Sequence, residues 1–172
     1  MLNRFLKDLR GAAAVEFAFV APIMLLMYFG MAEMTQGMMA SRRAHHVAST
    51  IGDLVTQSPS MNQASLDDVF LIGDAIIKPF PTGTLSMRIT SFKADAGNTP
   101  QVVWSKTKGS YAPLTGQGTL PAGLLTAGES VVVAESKYTY TSPIQATLPE
   151  PITFQASYYL KPRKSKEVKW LP

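Results

Sequence analysis

From Phe17 to Ala32 the chain carries no charged side chain, and the small and apolar character begins earlier, at Gly11 and Ala12. At about 1.5 Å per residue, Ala12 to Ala32 makes a helix of roughly 30 Å, the thickness of a bilayer's hydrocarbon core. A segment of that kind in lipid must satisfy its own backbone hydrogen bonds, which leaves the α-helix as its conformation. One residue breaks the pattern: Glu16 places a carboxylate at the head of the run. On insertion scales such a charge costs about 2.5–3.5 kcal/mol at mid-bilayer and less near the interface, so it calls for a partner or a role.

Before the run, Arg4, Lys7 and Arg10 outnumber Asp8, a basic leader of the kind that stays in the cytoplasm. Three readings of this N-terminus are open. In the first it is a cleaved signal peptide with Gly30-Met31-Ala32 as a small-x-small site, although Glu16 interrupts the apolar region. In the second it is a plain signal anchor, and Glu16 is incidental. In the third, Gly11, the small residues that follow it and Glu16 with its aromatic neighbour Phe17 belong to one N-terminal motif.

The remaining charges narrow the field. The net charge is +4, but Lys and Arg cluster in the leader, at Arg42-Arg43 and in the tail from Lys161 to Lys169. No stripe of basic residues interleaved with aromatics crosses the middle, so nucleic-acid binding is not expected. The sequence has no cysteine, which removes disulfides, thiolate metal sites and cysteine nucleophiles together.

Helical periodicity continues past the apolar run through Met34, Met38, Ala40 and Ala44 to about Val55. The expected helix from Ala12 is then roughly 65 Å long, with Pro22 removing one hydrogen bond and kinking it. Gly30 and Gly37, seven apart, fit either close helix packing or the ordinary tolerance of membrane helices for glycine. The methionines at 24, 27, 31, 34, 38 and 39 fit a pliable interface or flexible filler. His45 and His46 point about 100° apart on a helix and are poor joint metal ligands, so with Arg42 and Arg43 they read as a solvated or headgroup-facing patch.

Gln57-Ser-Pro-Ser60 stops the helix. A second helix is expected to open at Ser65, with Asp67 and Asp68 in its first turn and Leu66, Val69, Phe70, Ile76 and Ile77 as its apolar side, ending at Pro79. Alternation then predicts strands over 84–93, 101–106, 129–140 and 152–160. Four strands without intervening helices favour an antiparallel sheet, covered on its apolar face by the second helix and the outer half of the first. The expected fold is therefore α+β: a long N-terminal membrane-spanning helix packed on a C-terminal antiparallel sheet of about four strands. The loop 108–128 reads as a plain connection, and the tail 161–166 as a solvated terminus.

No enzyme is expected. His45 and His46 lack a partner motif, Ser41 and Ser49 lie on the same helical stem, and Gly116-Gln117-Gly118 lacks the strand-to-helix context of a phosphate cradle. No cofactor and no metal site is expected either.

The stretch Gly11-Ala-Ala-Ala-Val-Glu-Phe-Ala-Phe-Val-Ala-Pro22, running on through Met31-Ala-Glu33, resembles the start of the TadE-like proteins of tight-adherence (Flp, type IVb) pilus systems. The resemblance is clearest over residues 10–55 and faint in the late strands. It implies a pilin-like plan with a leader, 1–11, removed after Gly11 by a prepilin peptidase, making Gly11 and Ala12 the processing site. It implies a transmembrane and stem helix, 12–57, and an extracytoplasmic globular domain, 58–172. Cleavage after Gly11 would free an α-amino group on Ala12, one helical turn from Glu16 on the same face. Glu16 and Ala12 would then form the assembly charge pair, within a chain or between adjacent subunits, and Phe17, Pro22, Gly30 and Gly37 would serve helix packing and the kink. The implied function is that of a minor pilin or pseudopilin that initiates, primes or caps a Flp-type adhesive pilus. Its partners would be the peptidase, other minor pilins, the major Flp pilin and the inner-membrane assembly platform. The implied location is the inner membrane, single-pass with the outer domain in the periplasm, with incorporation into an extracellular pilus. The alternative is a signal-anchored extracytoplasmic binding module that never joins a filament.

Overall fold

A computed structural model describes residues 10–121 and 123–172, so the expected leader up to Leu9 lies outside the described residues. In chain order the elements are α1 (Arg10–Thr56), β1 (Ser60–Met61), α2 (Gln63–Ile77), β2 (Leu85–Ala94), β3 (Pro100–Lys108), β4 (Ser130–Tyr140), β5 (Ile152–Leu160) and β6 (Lys169–Trp170). They fall into two compact units. Among the described residues one holds the chain from Arg10 to Met38 together with Thr141–Pro151; the other holds Met39–Tyr140 and Ile152–Pro172.

The second unit is the α+β body. Its sheet is antiparallel throughout, in the order β3-β2-β4-β5. The part of α1 beyond Met39 and all of α2 cover one face. Ala40, Ala44, Ala48 and Gly52 recur every four residues on α1 and are all buried, a ridge of small side chains that brings the helix close to the sheet. A Cβ on Gly52 would lie 2.7 Å from Leu160 Cδ1 and 2.9 Å from Ala134 Cβ. Val47, Ile51 and Val55 fill the space beside that ridge, against Met87, Ile89, Val132 and Tyr138 of the sheet. The Ser136 hydroxyl donates to the Ala44 carbonyl at 2.7 Å, so a buried polar group on the sheet is satisfied by the helix backbone.

α2 buries Leu66, Val69, Phe70, Gly73 and Ile77, close to the expected set. Its start differs from expectation. Asn62, not Ser65, is the N-cap: its side-chain oxygen accepts from the Ser65 backbone N–H at 2.8 Å, and the Ser65 hydroxyl donates to the same oxygen. Asp67 and Asp68 therefore fall beyond the first turn, and Asp67 accepts from Gln63 Nε2 instead. At the other end, Arg43 of α1 donates to the carbonyl of Ile76, taking up one of the acceptors a helix leaves open at its C-terminus.

The sheet was expected to bury one face; it buries both. β2 explains this, because Leu85, Met87 and Ile89 point to the helices while Phe92 and Ala94 point the other way, joined there by Val131 and Val133 of β4. Leu114, Leu120, Leu124 and Leu125 from the 109–128 connection close over that second cluster. Gly118 lies against the Phe92 ring, where no side chain fits. Gly116 and Gly118 also bond the edge of β3, through Val102 N–H to Gly116 O at 2.8 Å and Gly118 N–H to Pro100 O at 3.0 Å. A connection read as plain loop is thus a lid on the sheet and a guard on its edge.

The polar end of the same face is organised by Arg88. It meets Glu135, its partner across the β2–β4 register, through two parallel bonds of 2.5 and 2.9 Å. It also donates to the Ala112 carbonyl and stacks on Tyr111 at 4.6 Å.

Lys161, Arg163, Lys164 and Lys166 are exposed, in keeping with a solvated stretch over 161–166, but the chain beyond it docks. β6 pairs in parallel with β1, Val168 is fully buried, and Trp170 sits against Trp104 with ring centroids 5.4 Å apart. Trp104 Nε1 donates to the Val168 carbonyl at 2.7 Å. Two of the tail's basic residues form ion pairs, Lys161 with Glu129 at 2.8 Å and Arg163 with Asp53 at 2.5 Å. Apolar Val168 and Trp170 decide the outcome, since burying them outweighs the solvation of a short basic stretch.

Candidate functional site: the apolar helix and its carboxylates

Along α1 from Gly11 to Met31 nearly every residue is exposed on all sides, including the largest: Phe17 is 69% exposed, Phe19 74% and Met31 70%. A helix so apolar in water would be a liability, and one apolar around its whole circumference is built for lipid or for packing among other helices. Helix length and hydropathy are sufficient for one membrane crossing.

The residues singled out from sequence lie along this surface. Gly11, Ala12 and Glu16 occupy the first turns of α1, all exposed, and nothing approaches within 4 Å of where a Gly11 Cβ would stand. Ala12 and Glu16 are four apart on continuous helix, hence on one face. Among the described residues Glu16 makes no ion pair. Phe17 is exposed beside it, and Pro22 lies inside the helix, which continues to Thr56. Gly30 meets the Thr141–Pro151 loop: a Cβ there would come within 3.1 Å of Thr147 Cγ2. Gly37 is buried. His45 and His46 are exposed on the outer part of α1.

A second carboxylate, one residue beyond the apolar run, received no role from the sequence. Glu33 is fully buried. Its Oε1 accepts from the Ser142 hydroxyl at 2.7 Å and the Ala146 N–H at 2.9 Å. Its Oε2 accepts from the Thr147 N–H at 2.7 Å, the Leu148 N–H at 3.0 Å and the Thr147 hydroxyl. Burial by itself would raise the Glu33 pKa, but the bonds from Ser142, Thr147 and Ala146 outweigh it and hold the carboxyl at about 2. Glu33 is thus an ionised side chain neutralised by dipoles instead of by a cation. Its partners lie more than a hundred positions along the chain, so no spacing rule links them; the only local clue is a charge at the end of a membrane-length run.

Elsewhere the surface offers shallow features. Two open clefts of about 500 and 600 Å³ flank the tail, and the lysine and glutamate side chains on their walls include Lys161 paired with Glu129 and Lys93 paired with Glu167. Among the described residues no group of three or more His, Cys, Asp or Glu side chains is placed to hold a metal ion.

The architecture is α+β, an N-terminal helix long and apolar enough to cross a membrane once and packed at its outer part on an antiparallel sheet. Residues 11–52 match the model of a protein family, TadE-like protein, consistent with a TadE-like protein of the Tad pilus system. The match covers α1 nearly to its end, the segment where the resemblance was clearest from sequence, and none of the sheet. No curated protein and no solved structure matches the chain.

Proposed function

We propose that this protein is a minor pilin or pseudopilin that initiates, primes or caps a Flp-type pilus. The observation that carries the reading is the exposed apolar helix with Gly11, Ala12 and Glu16 in its first turns, inside the family match. A prepilin peptidase cuts after Gly11, in the first turn of α1, where backbone N–H groups have no partner within the helix and unwinding is easy. Glycine lowers the barrier further, being about 1 kcal/mol poorer than alanine in a helix.

Cleavage leaves an ammonium on Ala12 and a carboxylate on Glu16 one turn away. Paired between neighbouring subunits, they set the axial register, because a subunit out of register leaves both charges uncompensated among apolar helices. Before assembly α1 anchors the chain in the inner membrane, and the sheet-bearing body lies on the periplasmic side. The partners are other minor pilins, the major Flp pilin and the inner-membrane platform. A body of this size suits a few positions in a thin fibre better than every one.

Mass spectrometry of the membrane-extracted protein is the test. We expect the mature chain to begin at Ala12 in cells with an active prepilin peptidase, and an intact leader there overturns the reading. In a Glu16→Ala variant, processing is expected to continue while assembly with partner pilins fails; normal piliation would refute the charge-pairing role and favour a signal-anchored binding module.

A further inference from the structure

From Thr141 to Pro149 the connection between β4 and β5 has no charged residue. Five successive backbone donors within it, from Ile144 to Leu148, converge on two side chains. The N–H groups of Ile144 and Gln145 donate to Ser142 Oγ at 3.2 and 3.3 Å, and those of Ala146, Thr147 and Leu148 donate to Glu33. Pro143 and Pro149 have none to offer. Gln145 adopts φ 53, a left-handed conformation that turns successive N–H groups toward one point, the concave arrangement that binds anions. Here the anion is the chain's own Glu33.

An exposed loop in water has no need of this, since solvent satisfies its N–H groups. Yet Pro143, Ile144, Gln145, Ala146 and Thr147 are all exposed. Exposed side chains above a run of backbone donors that are all taken, as from Ile144 to Leu148, are what a segment requires where water is scarce. The depth of the loop agrees. Thr147 rests against Gly30, which lies three residues before Glu33 and so about 4.5 Å further into the apolar run. Tyr28 and Phe29, edge to face at 5.6 Å, stand in the same turn, and such aromatics favour the membrane–water boundary.

We propose that the Thr141–Pro149 segment is a second membrane contact, an interfacial element that rests Ile144 and its flanking prolines on the outer headgroup–acyl boundary, with Glu33 supplying the acceptor its backbone needs. The proposal rests on α1 being embedded in a bilayer. Glu33 thereby fixes how far the helix sinks: the run below it is hydrocarbon-facing, and the loop it gathers acts as a collar at the surface.

The absence of cysteine makes the test direct. Single-cysteine variants Leu25→Cys, Ile144→Cys and Asn98→Cys of the full chain, each carrying an environment-sensitive fluorophore, are placed in phosphatidylglycerol/phosphatidylcholine nanodiscs with spin-labelled lipids. The expected result is deep quenching at 25, blue-shifted emission with quenching by shallow labels at 144, and neither at 98, a position on an exposed turn. A probe at 144 that behaves like the one at 98, while 25 is quenched, overturns the collar and leaves the anchor intact. Probes at 25 and 144 that both report water overturn the anchor itself. A blue shift at 144 that appears only on mixing with other pilins assigns the surface to a neighbouring subunit and overturns the lipid contact. Adding Glu33→Gln to Ile144→Cys is expected to abolish the shallow quenching and to speed amide exchange at Ile144–Leu148, with tryptophan emission from Trp104 and Trp170 unchanged. Unaltered quenching in that variant refutes the role given to Glu33.

Discussion

Replacing Gly52 by alanine sets two effects of known size against each other. In a helix the exchange ordinarily stabilises by about 1 kcal/mol, because glycine loses more backbone freedom on folding. Here the new methyl group would sit 2.9 Å from Ala134 Cβ and 2.7 Å from Leu160 Cδ1. Comfortable carbon–carbon contact is about 3.5–4.0 Å, so the neighbours must retreat by roughly an ångström. Leu160 can rotate its side chain away, but Ala134 Cβ is fixed to the β4 backbone, in register with Ile89 and Tyr158 on either side. The helix must therefore lift from the sheet, and overpacking of this kind costs about 1–3 kcal/mol. The net expectation is a loss of about 1 kcal/mol, or a fall in melting temperature of roughly 2–5 °C for a chain of this size. Both tryptophans, Trp104 and Trp170, lie in the sheet-bearing unit, so their fluorescence during thermal unfolding in detergent micelles reads the relevant transition. A double variant with Ala134→Gly should recover about 1 kcal/mol relative to the sum of the two single changes. A higher melting temperature for Gly52→Ala, or strict additivity with Ala134→Gly, would refute the close-approach reasoning.

The other predictions concern charge, tail and lid. Glu33 in the folded protein titrates at about 2 against an ordinary 4.5, so its stabilising contribution is complete above about 4.5 and is lost as pH falls toward 2. Protection factors at Ala146–Leu148, exchange rates corrected for the intrinsic pH dependence of amides, should therefore fall across that window, and Glu33→Gln should abolish this change; protection factors constant from pH 5 to pH 2 would contradict it. Glu129, held at about 2 chiefly by its bond from Lys161, gives the sheet-bearing unit a dependence in the same window, separable by Lys161→Met. Trp170→Ala removes a half-buried ring packed on Trp104 and beneath Lys106, and should cost about 1–3 kcal/mol and release the tail to proteolysis; a tail as resistant as before would count against docking. Arg88→Lys gives up the paired bonds to Glu135 and the stacking on Tyr111, with an expected loss of about 1 kcal/mol and faster nicking between Gly109 and Gly128. An unchanged cleavage rate would show that the lid holds without Arg88.

The sequence by itself determined whatever depends on neighbours along the chain. The charge-free run to Ala32 and its helical periodicity gave α1 its length, and alternation in Ile152–Leu160 gave β5 its bounds. The α+β class followed from four strands without helices between them. The family match at residues 11–52 also lies within one local segment, the one that holds Gly11 and Glu16.

Only the tertiary structure decided where distant residues meet. Nothing near Phe92 in sequence announces that Leu120 and Leu124 will cover it, because apolar residues scattered in a Gly- and Pro-rich connection have no period to read. The docking of Val168 and Trp170 was silent for the same reason: two apolar residues beside lysines matter only once Trp104 is placed next to them. Glu16 drew attention as a charge in an apolar run, whereas Glu33 looked like the ordinary polar end of that run. Its acceptor role exists only because the chain returns to it after more than a hundred residues, bringing N–H groups whose direction is set by backbone geometry rather than by side-chain identity.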